Sequence, residues 1–371
     1  MIGVNGFNDC RALSENDFQK FFNGDLSPFV ELVKKHDELE LCFRGNDKNP
    51  CVCIYYNNHV IFKIHVNGII VISFNHARYS KCWKTYYEKL KEAGFKGSIR
   101  NLELKENRRN KEVAKQITVG NMTANKQFTV SELEKIYKDI LLKIFIKYFK
   151  VAGNNDVADY FKFDVKGDSG CKVNVPDKLE KVRQQALFTK MKFIKNGYFF
   201  YDMEFAQKHK SKDERDQDKK YNNQADMLAI KFNNNQKPEK IVLVEVKCKK
   251  ASLYNDSGIK KHLEKMEPYI KTSSDKEIDK RKEQRRIEAW QIMNQYATLG
   301  LRGLSTANIF DYDNDFKKLD FQILLVFTDN AIDEWHKNFS KTIEDYKLEK
   351  QDDNFISSLN LGFKAEFWRN K

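Results

Sequence analysis

The stretch KIVLVEVKCKK, Lys240–Lys250, places an acid and two bases at alternate positions behind an apolar run. In a strand, alternate residues share a face. Glu245, Lys247 and Lys249 therefore point one way, and Val244, Val246 and Cys248 the other. A buried carboxylate costs several kcal/mol, as an order of magnitude, unless it is paired or ligates a metal. Asp226 stands in a second apolar run, QADMLAIKF. A hairpin between the two runs brings Asp226 beside Glu245. Two carboxylates and a lysine suit metal-assisted phosphodiester hydrolysis. Asp226 and Glu245 are the expected oxygen ligands of Mg²⁺ or Mn²⁺. Lys247 is expected to orient the attacking water or to stabilise the charge that develops on the phosphate. The plain alternative is an ion-pair ladder across a surface hairpin.

The elements that must position these residues are legible from pattern. Three strand candidates run in series: YFFYDMEFA, ADMLAIKF and KIVLVEVKC. The charged segment QKHKSKDERDQDKKYNN separates the first two and reads as a solvated loop. A helix, DKLEKVRQQALFTKMKFI, precedes them after Pro176. A short helix over SGIKKHLEKMEPYIK and a long one over DKEIDKRKEQRRIEAWQIMNQYATLG follow, then a last buried strand, FQILLVFTD. Upstream, residues 10–36 read as helical with a break near NGDLSP. A meander follows: ELELCFRG, CVCIYY, HVIFKIHV and IIVISFN. Its joints are Asn57-Asn58 and Asn67-Gly68, and the second predicts a two-residue hairpin. CWKTYYEKLKEAGF reads as a helix closed by Gly94. TVSELEKIYKDILLKIFIKYFK reads as a helix capped by Thr129 or Ser131. Residues 101–127 are polar and basic and read as an exposed helix or a linker.

This order predicts an α/β chain, α+β overall, in two domains. Residues 1–127 form an antiparallel β-meander with helices, of recognition or regulatory use. Residues 128–371 carry a mixed central sheet flanked by helices.

The set Asp226, Glu245-Val246-Lys247 at the end of an apolar strand, in the order helix, strand, strand with Asp, strand with ExK, helix, strand, resembles the PD-(D/E)XK nuclease superfamily. Gln224-Ala225 stand where that family often has a proline before the Asp. The resemblance covers roughly 177–330. It implies a restriction-endonuclease-like core and a Mg²⁺- or Mn²⁺-dependent nuclease, acting on DNA more than RNA. An expected setting is restriction or defence. SGIKKH, with LCFRG and IYYNNHVIFKI in the front half, resembles a group of uncharacterised bacterial proteins that pair a strand meander with such a domain. Two other classes stay open: a non-catalytic nucleic-acid-binding module, and an interaction protein whose ExK is accidental.

Further residues are candidates. Glu180 lies on the helix before the strands, where the superfamily often adds a metal-binding acid; it is equally an acid favoured by the helix dipole. Asp202 and Glu204 share a strand face and either approach the metal or face solvent. His262 is placed to touch the scissile phosphate or relay a proton, or packs on a loop. Gln291, a turn from Gln295, contacts DNA or is simply exposed. Lys280, Arg281, Arg285 and Arg286 form the densest basic cluster, either a phosphate contact or a solvated helix face. Tyr55-Tyr56 are candidates for base stacking, with a core role the simpler expectation.

Composition bounds these readings. Of 371 residues, 66 are Lys or Arg and 53 Asp or Glu, giving a net charge of +13. Such an excess favours a polyanionic partner, nucleic acid first. Aromatics reach 13%, which argues against disorder. The seven cysteines contain no CxxC pair, so neither a disulfide framework nor a zinc site is signalled. A reducing cytoplasm fits, with no signal peptide and no membrane span expected. A homodimer is an allowed state.

Overall fold

The computed structural model describes residues 10–44, 49–56, 59–75, 83–93, 95–102, 114–120, 127–142, 184, 187–189, 197–206, 224–247, 259–270 and 276–327. It is a mixed α/β structure with two sheets, one antiparallel and one mixed. By contacts, the chain divides into Leu13–Val173 and a second unit made of Met1–Ala12 with Asn174–Lys371.

The unit Leu13–Val173 opens with helices α1 (Glu15–Phe22) and α2 (Ser27–Lys35). Ser14 caps α1 by accepting from Asp17 N at 3.3 Å. Pro28 sits in the first turn of α2, where its missing N–H costs nothing. The meander follows as β1 (Leu39–Arg44), β2 (Cys51–Tyr56), β3 (His59–His65) and β4 (Ile70–Asn75). The β3–β4 turn is one residue wider than the two-residue form. His65 N donates to Ile69 O at 2.8 Å, and Gly68 takes φ 82°. That is the three-residue hairpin, in which the glycine supplies the left-handed position.

Residues 101–127 were expected as an exposed helix or linker. Instead β6 (Ala114–Gly120) pairs with both β4 and β5 (Lys96–Leu102), after helix α3 (Trp83–Glu92). The sheet order is β1-β2-β3-β4-β6-β5. The basic run KENRRNKEVAK masked the β-branched QITV beside it, and that stretch is what the ladder selects. Tyr55 and Tyr56 are buried, the core role rather than an exposed stacking platform.

Helix α4 (Val130–Ile136) continues as one π-type turn, Tyr137–Leu141. Thr129 is the cap, with Glu132 closing a capping box. His36 stands 3.2 Å from Glu134, and Tyr137 Oη donates to Glu38 at 2.8 Å. These contacts tie α4 to the end of α2 and the start of the meander. The expected boundary between 127 and 128 therefore falls inside this unit.

In the other unit, Gln184 and Leu187–Thr189 are helical, within the expected first helix. Then come β7 (Tyr198–Ala206), β8 (Gln224–Phe232) and β9 (Pro238–Lys247), helices α5 (Ile259–Ile270) and α6 (Lys276–Leu299), and β10 (Asp320–Phe327). The sheet order is β10-β9-β8-β7. β7, β8 and β9 are antiparallel neighbours, and β10 runs parallel to β9. With partners on both edges, β9 is interior, and Ile241–Lys247 are all buried. That position explains its apolar run on both faces. Helix α6 ends in a Schellman motif: Gly300 takes φ 64°, Gly300 N donates to Ala297 O at 3.1 Å and Leu301 N to Tyr296 O at 3.0 Å.

Candidate functional site

Strand register builds the site. Met227 lies opposite Val244. One step further along an antiparallel ladder, Asp226 comes opposite Glu245, and opposite residues share a face. The ladder stops there because the Asp226 side chain replaces a backbone partner: Val246 N donates to Asp226 Oδ2 at 2.7 Å. On β7, Met203 pairs with Met227 and Phe205 with Ala225, so Glu204 holds the ladder position opposite Asp226. The Glu204 side chain lies outside the described ones, as do all of Glu180 and Lys249.

Glu245 is completely buried, and Lys247, two residues on, is 3% exposed. Lys247 Nζ stands 2.5 Å from Glu245 Oε1. Helix α5 delivers His262 to the same oxygen, with Nδ1 at 2.7 Å. By distance these are ion-pair contacts. Neither is aligned as a hydrogen bond, since both Glu245 oxygens and His262 Nδ1 are buried without a hydrogen-bond partner. The distances establish a buried cluster of one carboxylate and two nitrogens.

Three of the sequence candidates thus converge, Glu245, Lys247 and His262, while Asp226 holds the next ladder position with its Oδ2 on Val246 N. Among the described residues no three His, Cys, Asp or Glu side chains stand together as a complete metal site. The two carboxylates remain compatible with a hard cation. Mg²⁺ is characteristically held by one or two carboxylates and keeps several waters or substrate oxygens. Glu245 and Asp226 offer oxygens of the type such an ion takes.

Comparison of the chain with protein-family models, with curated proteins and with solved structures returns no significant match.

The basic cluster on α6 needs correction. Arg285 is 1% exposed and donates to both oxygens of Glu288 at 2.8 Å. It lies on the buried face of α6 and is not a phosphate contact. Arg281 donates to Glu277 at 3.1 Å, and Arg286 donates to Leu319 O at 2.8 Å and to Glu283 at 3.2 Å. Both are mostly covered. Lys280 is exposed. Gln291 is half-buried and accepts from Cys10 Sγ at 3.5 Å.

Asp202 is likewise buried rather than solvent-facing. It pairs with Arg11, whose backbone N donates to Glu288 at 3.1 Å. Arg11, Asp202, Arg285 and Glu288 form a buried four-charge network in this unit. Burial pushes the Glu288 carboxyl up, opposed by Arg285 and Arg11. Tyr201, next to Asp202, is held well above the usual tyrosine range by burial and by Glu288. Sequence reading missed Arg11 and Glu288. The available signal was an Arg–Glu pair three apart on a helix that also carries Ile278, Ile292 and Tyr296.

The unit Leu13–Val173 contains a pocket of about 600 Å³ lined by Lys20, Leu26, Phe29, Val66, Ile70 and Phe128. Its carboxylate, Asp25, is bound by Gln127 Nε2 at 2.7 Å, so it lacks the unsatisfied acid that marks the β8–β9 site. Among the described residues no helix is long and apolar enough to cross a membrane.

Proposed function

We propose that the chain is a metal-dependent nuclease that hydrolyses phosphodiester bonds of DNA, with RNA the lesser candidate, on a restriction-endonuclease-like core formed by β7–β10 and helices α5 and α6. The observation that carries this reading is the Glu245 carboxylate. It is wholly buried, has no hydrogen bond on either oxygen, and stands at the end of a strand beside Asp226 and Lys247. The mixed character of this sheet, with β10 parallel to β9 and the other pairs antiparallel, supports the reading. The net charge of +13 suits a polyanionic substrate.

In this reading Asp226 and Glu245 hold Mg²⁺ or Mn²⁺. The ion supplies Lewis-acid polarisation of the phosphate and a lowered pKa for water. Val246 N fixes the Asp226 carboxylate by its hydrogen bond, which costs no reorganisation during reaction. Lys247 places a positive charge within the buried site, where low dielectric strengthens it. That charge offsets the carboxylate before substrate arrives and the phosphorane-like charge afterwards. Val244 and Val246 bury the strand's other face and hold this register.

A second reading has its own support. The 2.5 Å and 2.7 Å approaches make Lys247–Glu245–His262 a buried structural ion triad. It requires neither metal nor substrate. Plasmid incubated with the full chain in Mg²⁺ or Mn²⁺, and in EDTA, separates the two. Metal-dependent cleavage supports the nuclease. Salt-sensitive DNA binding without cleavage in either metal would make it a binding module, and no DNA binding at low salt would leave the triad alone.

A further inference from the structure

Strict alternation along β7 would place Asp202 and Glu204 on the face of Phe200. The ladder does otherwise. Phe200 lies opposite Ala229, but Asp202 lies opposite Leu228, because the register shifts by one residue between them. That is a bulge at Tyr201, and a one-residue shift carries everything beyond it to the other face. Phe200, Met203 and Phe205 stand opposite Ala229, Met227 and Ala225, along one face of the sheet. Positions 202 and 204 stand opposite Leu228 and Asp226, on the face that carries Glu245. Without the bulge, the rung of Asp226 would fall to Met203 rather than Glu204.

Arg11 grips the strand at that point. Its Nη1 donates to Asp202 Oδ2 and reaches the Met203 carbonyl at 3.5 Å, while Met203 N donates to Asp202 Oδ1 at 2.8 Å. The backbone behind the arginine is fixed to α6. Arg11 N donates to Glu288 at 3.1 Å, and Cys10 Sγ donates to Gln291, three residues further along the helix, at 3.5 Å. Asp202 and Glu288 are both buried, so the charge balance matters. Arg11 and Arg285 balance the two acids, and loss of Arg11 leaves two buried carboxylates beside one guanidinium. We propose that Arg11 is a positioning residue that holds the β7 bulge, and through it sets which strand face stands beside Asp226 in the candidate site. The role of the bulge in the site rests on the nuclease reading, whereas the bulge and its clamp rest on the ladder and the contacts alone. Arg11 reaches Asp202 across 191 positions, with all of Leu13–Val173 between them in the chain.

The test uses the full chain labelled with ¹³C at the methionine methyls. Met203 and Met227 are fully buried and directly opposite, so their methyls should share a nuclear Overhauser contact, which Met227→Leu assigns. Arg11→Ala should lose that contact while the methyl signals stay dispersed, and its plasmid cleavage in Mg²⁺ or Mn²⁺ should fall on the order of 10²-fold. Arg11→Gln, which keeps a donor without the charge, carries the same readout if Arg11→Ala fails to fold. A folded variant that keeps the contact at wild-type strength overturns the inference, and so does a wild type that lacks it. Unfolding of both variants also overturns it, since Arg11 would then hold the whole unit rather than the bulge. A variant that loses the contact yet cuts as the wild type does overturns the link to the site. A wild type that shows the contact but cuts nothing overturns the nuclease reading, and the methyl contact in Arg11→Ala still decides the clamp.

Discussion

Lys247 Nζ lies 2.5 Å from Glu245 Oε1, and both side chains are buried. The lysine expected to serve the transition state is therefore also the cation nearest a buried acid. Both roles have consequences that separate. Lys247→Ala removes the nearer of the two nitrogens from the buried Glu245, leaving only His262 beside it, and should cost up to about 3–5 kcal/mol of stability in metal-free buffer. Divalent metal should restore much of that loss, because ion binding to the folded state stabilises it. Turnover at saturating metal should still fall on the order of 10²–10³. Thermal melts with and without Mn²⁺, alongside cleavage rates, measure both. A melting loss that metal does not relieve would make the pair purely structural.

The buried network on α6 gives a second expectation. Arg285→Ala removes the partner of a fully buried Glu288 and should destabilise the unit by about 3–5 kcal/mol. Lys280→Ala changes an exposed residue and should leave the melt unchanged. If the two variants instead melted alike and lost DNA affinity alike, Arg285 would be a surface contact after all.

Tyr201 carries a pH prediction. Its hydroxyl is buried without a hydrogen-bond partner, and burial holds its pKa well above the usual range. The unfolded chain ionises this tyrosine at about 10, while the folded chain keeps it protonated. Stability from this group is thus fully present below pH ~10 and is lost as pH rises beyond it. Tyr201→Phe should make the alkaline limb of the stability curve shallower. At neutral pH it should be neutral or stabilising, because an unsatisfied hydroxyl leaves the core. Denaturant midpoints at neutral and alkaline pH check this; a large neutral-pH loss would mean the hydroxyl has a partner.

Gly300 isolates a backbone effect. It takes φ 64°, yet a Cβ there would meet nothing within 4 Å. Gly300→Ala should cost about 1 kcal/mol from conformation alone. A neutral result in chemical denaturation would show that α6 closes without the left-handed residue.

Much of this organisation was legible in the residues. Strands β7 to β10 and helices α5 and α6 follow from apolar period and length, and their order set the Asp226 strand beside the Glu245 strand. The β6 strand was hidden because a lysine- and arginine-rich approach outweighed the short QITV run. The contact-based division differs from the 127/128 boundary because α4 was read by its own pattern. Its partners, His36 and Glu38, lie about a hundred positions away in the chain. Arg285 looked like a surface base because a string shows charge but not the helix face that carries it. His262 was only one candidate among several, since its nearness to Glu245 comes from how α5 packs on the sheet.

The central claim is that Asp226 and Glu245 hold one catalytic ion. The most direct measurement pairs Mn²⁺ affinity with plasmid cleavage on the same preparations of wild type and Asp226→Ala. The account predicts metal-dependent cleavage by the wild type, with Asp226→Ala losing both cleavage and most of its Mn²⁺ affinity while staying folded. A folded Asp226→Ala that binds Mn²⁺ and cuts DNA as the wild type does, or a wild type that cuts fully in EDTA, would contradict it.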